Sequence, residues 1–148
     1  MNLRGVINIP SASLNSGTTY NILCGAAPAH QQIAITGFSF GGTFNAAATP
    51  GLLQFCTSAS QGTSGTTFTP LPLVQQDTTT FQSTWIGTPS GAPSTIVALD
   101  SRVVNPQLSI TELWGANDWY VIKGGGFFVV QFTPQQTTNY AGWFRILE

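Results

Sequence analysis

Apolar and polar positions alternate with period two in several short stretches, and apolar residues nowhere recur at helical spacing over three turns. Residues 31–40 (QQIAITGFSF) put Ile33 and Ile35 on one face and Gln32, Ala34 and Thr36 on the other. Phe38 and Phe40 then fall on the opposite parity, so Gly37 predicts either a bulge or a strand that crosses between sheet edges. Residues 52–57 set Leu53 and Phe55 against Gln54, and residues 107–113 align Leu108 and Ile110, with Glu112 at the rim. Further strands are expected at 20–24, 95–99 and 140–147. In residues 119–132 (WYVIKGGGFFVVQF) two apolar runs flank Lys123 and three glycines, which predicts a hairpin. Its second run has apolar groups on both parities, as at the centre of a sandwich. Residues 3–9 suit a short strand or an extended arm closed by Pro10, and an arm is the expectation.

The pattern predicts an all-β chain: a two-sheet β-sandwich of jelly-roll or Greek-key type with about nine to ten strands. Residues 1–19 are expected to form an N-terminal arm and connection, and residues 20–148 a single sandwich domain. No internal repeat is visible.

Composition changes this picture mainly through what is scarce. Of 148 residues 42% are hydrophobic and only 6% charged, against roughly 25% charged in a typical soluble protein. Polarity must come from Thr, Ser, Asn and Gln. A surface with so little charge repulsion resists association weakly, so much of it is expected to be covered. The net charge of -1 argues against nucleic acid and anionic membranes as partners. No run approaches the ~20 apolar residues of a membrane span. Residues 1–17 lack the apolar stretch of a signal peptide, so the product is expected to stay in the cytosol where it is made. Cys24 and Cys56, each beside apolar residues, read as buried reduced thiols.

Chemistry-bearing groups are few. His30, the sole imidazole, sits in GAAPAHQQ and reads as a solvated or hydrogen-bonded loop residue without catalytic partners. The carboxylates Asp77, Asp100, Glu112, Asp118 and Glu148 are scattered singly, while Asp100 and Arg102 share a strand face and suit an ion pair or subunit contact. The glycines at 124–126 follow a lysine and open no helix, so they suit a turn and not a phosphate loop; Gly62 and Gly65 fail likewise. No catalytic residue, metal-ligand set or cofactor is expected. Of the four tryptophans, most read as core and Trp114 is the one expected nearest the surface; Trp114, Trp119 and the neighbouring Tyr120 are the candidates for a sugar platform or an interface.

Between residues 31 and 69 the chain runs through SFGGTF, a TPG turn before LLQFCT, and QGTSGTTFTPLP; it later has a Trp-containing hairpin and closes on RILE. In these features it resembles small tailed-phage virion proteins, the capsid decoration or cement proteins of jelly-roll type. The resemblance implies a homotrimer on the outside of a phage head, at local threefold axes, clamping subunits of the major capsid protein. It implies a virion protein made in the host bacterial cytoplasm, with no catalytic residues. Leu3, Val6, Ile7 and Ile9 of the expected arm would then contact a neighbour. The alternative is a host-attachment knob or head-fibre carbohydrate-binding module using Trp114, Trp119 or Tyr120. A third reading is a small hydrolase using Asp77, Glu112 or Asp118.

Overall fold

The computed structural model describes residues 3–42, 49–74 and 80–148. Asp77 lies outside them. The described residues form twelve strands and no helix. In chain order these are β1 (Arg4–Leu14), β2 (Tyr20–Ala26), β3 (Ile33–Gly42), β4 (Gly51–Ser58), β5 (Thr66–Phe68), β6 (Leu71–Pro72), β7 (Thr84–Gly87), β8 (Val97–Val104), β9 (Ser109–Leu113), β10 (Tyr120–Ile122), β11 (Phe127–Thr133) and β12 (Thr138–Leu147). The number exceeds the nine or ten expected because β5, β6 and β10 span only two or three residues each, too few to show a period.

Two antiparallel sheets form a sandwich. One has the order β10-β3-β12-β1-β6, with β9 also on β3 beyond β10; the other has the order β5-β7-β2-β11-β4-β8. The pairings are nested: β1 with β12, β2 with β11, β3 with β9 and β10, and β4 with β8. A chain paired this way is one long hairpin wrapped around a core, which is the jelly-roll arrangement.

The core holds Phe38, Phe40, Phe144 and Tyr140 from the first sheet against Leu53, Phe55, Phe128 and Phe132 from the second. At Gly37 the bulge is present: Arg145 pairs with Gly37 and Ile146 with Ile35, so Thr36 is the extra residue and Phe38 and Phe40 return to the face of Ile33 and Ile35. Strand β11 lies inside its sheet, and both its faces are covered. Phe128, Val130 and Phe132 face the main core; Val129, between Cys24 and Cys56, belongs to a second small cluster against Ile86 and Ile96.

Two expectations need correction. Residues 4–14 are not an arm, because β1 pairs with β12 along its length and Leu3 and Ile7 are buried. Pro10 does not end this strand, since it sits in the register shift between Ile9 and Ala12, where the ladder is already interrupted. The three glycines do make a tight turn, with the Gly126 amide donating to the Lys123 carbonyl at 2.9 Å and Gly125 at φ 71°. It is not a hairpin, however: β10 before the turn pairs with β3 and β11 after it with β2 and β4, so the turn carries the chain from one sheet to the other.

Candidate functional site

On one side of the sandwich the edge strand β8 faces β9 and β10 across the gap between the sheets. Asp100 and Arg102 alternate with outward residues on β8 and share their parity with the core-facing Phe55 and Leu53 opposite them. Glu112 is opposite Phe38 and Tyr120 opposite Ile35, so both turn inward from the first sheet. These four side chains meet and join the sheets. Arg102 donates through Nε to both Glu112 oxygens (2.9 and 3.1 Å) and through a terminal nitrogen to Asp100 Oδ2 (2.6 Å). The Tyr120 hydroxyl donates to the same Asp100 oxygen at 2.6 Å, and Trp114 Nε1 donates to Glu112 at 2.9 Å.

The electrostatics follow from these contacts. Hydrogen bonds from Tyr120 and Arg102 hold the Asp100 carboxyl below its usual range. The two carboxylates hold the Arg102 guanidinium firmly protonated. Partial burial, then the bond to Asp100, pushes the Tyr120 phenol upward. Such a cluster fixes geometry and is poorly set to exchange protons near neutral pH. Glu112 is half-buried at this flank, its carboxylate held by Arg102, and Leu108, expected inward with Ile110, is 69% exposed just before β9 begins.

The segment after β9 and the start of β10 carry the aromatic candidates. Tyr120 stacks on Phe55 with centroids 4.9 Å apart and planes 10° from parallel, so its ring is part of the core. Trp114 is also held, edge-on to Phe55 and Tyr120. Trp119 differs. Its Nε1 donates to the Trp114 carbonyl at 3.0 Å, and its half-buried ring borders three grooves. One, of about 190 Å³, is lined by Arg4, Arg145, Leu113, Trp114 and Leu147. The second, of about 320 Å³, is lined by Asp100, Arg102, Asn117, Asp118 and Tyr120. The third, of about 240 Å³, has Ile33, Val121 and Leu147 in its wall. Trp119 is thus a ridge between a basic groove and a polar one.

The other candidates lie elsewhere. Leu3 and Ile7 are in the core, Ile9 packs against it and Val6 is half-buried on the sheet's outer face beside Leu71. His30 is exposed in the turn after β2, Asp118 is exposed, and among the described residues no three of His, Cys, Asp and Glu gather as a metal site. Glu148 is buried: its carboxylate accepts from the Gln82 amide (2.7 Å), the Ser83 amide (2.9 Å) and the Ser83 hydroxyl (2.6 Å), and Ser83 Oγ accepts from Trp85 Nε1 (3.0 Å). The two arginines of the basic groove escaped the sequence reading. Arg145 could have been found there, since it falls between the core residues Phe144 and Ile146 and so points outward. It lies over the Trp143 ring, 5.3 Å from its centroid.

No family model, curated protein or solved structure matches the chain.

Proposed function

We propose that this chain is a structural virion protein, a decoration or cement protein that binds the outside of a tailed-phage head as a homotrimer and stabilises contacts between major capsid subunits. The observation that best supports an assembling role is the outward side of β8. Leu99, at the register shift, and Val103 are each more than half exposed there, and Leu52 lies in register with Val103. Covering such side chains contributes about 1.5–3 kcal/mol for each one fully buried, and few charges oppose close approach. The inward Asp100 and Arg102 and the register shift beside Leu99 discourage simple extension of the sheet. A partner on this side therefore meets side chains more than backbone. With Leu3 and Ile7 in the core, this side replaces the arm as the proposed contact.

Light scattering over a wide dilution range, with co-sedimentation on empty heads, tests the reading. The expected result is a three-chain mass that persists on dilution and pelleting with heads that Leu99→Lys with Val103→Lys abolishes. A monomer that stays in the supernatant would end it. The Trp119 ridge supports a second reading, a carbohydrate-binding module. In this reading Trp119, and not Tyr120, offers a ring to a sugar, and a glycan-array hit should disappear in Trp119→Ala.

A further inference from the structure

We infer that the groove between Arg4, Arg145 and Trp119 is a binding subsite for the carboxylate of an acidic sugar, within a glycan that crosses Trp119. The inference rests on the carbohydrate-binding reading and adds the substrate class. Four basic residues occur in the chain; two of them, Arg4 and Arg145, line this one groove. Neither makes an ion pair among the described residues, whereas Arg102 makes two. Among the described residues the groove has no acidic residue in its lining, so both of its charged side chains are basic on a chain whose net charge is -1. Register holds the pair together: Arg4 is opposite Leu147 and Arg145 opposite Val6, so both stand on the outer face of neighbouring strands β1 and β12. Arg145 is further steadied over Trp143.

Guanidinium groups of this kind bind a carboxylate through charge-assisted, often paired hydrogen bonds. The indole of Trp119 supplies the apolar surface for the face of a sugar ring. At about 190 Å³ the groove is smaller than a drug-sized pocket, which suits a single ring. Across the ridge the lining changes to Asp100, Asn117, Asp118 and Arg102, groups that suit hydroxyls and repel a second carboxylate. The preferred chain therefore has an acidic sugar followed by a neutral one. An acidic peptide, with charge on both sides of the ridge, is disfavoured by Asp118 and Asp100.

The test is a titration of the full chain with a panel of uronate-containing oligosaccharides, hyaluronan hexasaccharide included, each beside its carboxyl-reduced counterpart and with polyglutamate as a peptide control. Tryptophan fluorescence and calorimetry report binding. The expected result is saturable binding by at least one acidic glycan, at least tenfold tighter than its reduced form, and weakened at least tenfold in Arg4→Gln and in Arg145→Gln. Trp119→Ala should abolish it, and added salt should weaken it. Equal binding of acidic and reduced forms would overturn this inference while leaving the carbohydrate reading in place. No binding of any member would remove both. Polyglutamate binding unaffected by Trp119→Ala would identify the groove as a peptide site and also overturn the inference.

Discussion

Arg102 on β8 grips Glu112 on β9 from the opposite sheet, its Nε lying 2.9 and 3.1 Å from the two carboxylate oxygens. The contact closes one flank of the sandwich where, among the described residues, β8 has no further strand beside it. Replacing Arg102 with Met keeps most of the stem but leaves Asp100 and Glu112 facing each other without their cation. The side chain is 25% exposed, so the cost should be below that of a fully buried pair, about 1–2 kcal/mol. A fall in thermal midpoint of a few degrees checks this; an unchanged midpoint would mean that water replaces the guanidinium freely.

Asp100 gives the flank a pH dependence of known sign. Its folded-state pKa lies below the ordinary value of 3.8, so the folded protein favours the ionised form more than the unfolded chain does. The resulting stability is present above pH 4 or so and is lost as pH falls through the lowered value. The carboxylate is 42% exposed, so solvent screens the effect and it should be modest. Denaturant titrations between pH 6 and 2.5 should show a steeper acid loss in the wild type than in Asp100→Asn.

The two thiols should be unreactive in the native protein. Val129 pairs with Cys24 on one side and Cys56 on the other, which puts the cysteines two strand spacings apart, about 10 Å, too far for a disulfide. Burial pushes the Cys24 thiol up to about 12 and Cys56 up to about 11. Reaction with a thiol reagent at pH 8 is expected to be very slow until denaturant is added, when both titrate. Because both values are raised, the associated stability is complete below pH 9 or so and falls as pH rises toward the folded-state values.

Two glycines separate packing from backbone conformation. A Cβ added at Gly25 would strike the Trp85 ring, whose Nε1 is tied to Ser83 and through it to Glu148. The ring cannot swing aside cheaply, so Gly25→Ala should cost about 1–3 kcal/mol. Gly125 has open space around it but φ +71°; Gly125→Ala should cost about 1 kcal/mol through conformation alone. Chemical denaturation of the two variants, read side by side, tests the difference. A variant that loses no stability would contradict the cause assigned to it.

Where the sequence was legible, a local rule and the tertiary structure agreed. Gly37 narrowed the choice to a bulge or a crossing strand, because Ile35 and Phe38 could not otherwise share a face, and the structure has the bulge. Both-sided apolarity in residues 127–132 placed that strand inside its sheet. The failures came where a local signal fixed a shape but not a partner. Three glycines specify a reversal, and whether the strands then pair or separate into two sheets depends on β2, β3 and β4, far away in the chain. Pro10 removes one donor, yet a strand can pass through it where its ladder already shifts. The candidate site was half visible for the same reason. Trp119 could be named only as one of three candidate aromatics, with Trp114 the one expected nearest the surface, and Arg4 and Arg145 are 141 positions apart (145 − 4) and share a groove only because β1 lies against β12.

That pairing of β1 with β12 also bears on how the protein is made. Residues 4–14 find their partners in residues 138–147, and the nested order defers each outer pair until the inner ones can be built. During synthesis β1 therefore leaves the ribosome more than a hundred residues before its neighbour. Closure over so long a span is slow, and the waiting strand, with Leu3 and Ile7 still uncovered, is the segment most open to pairing with the wrong chain.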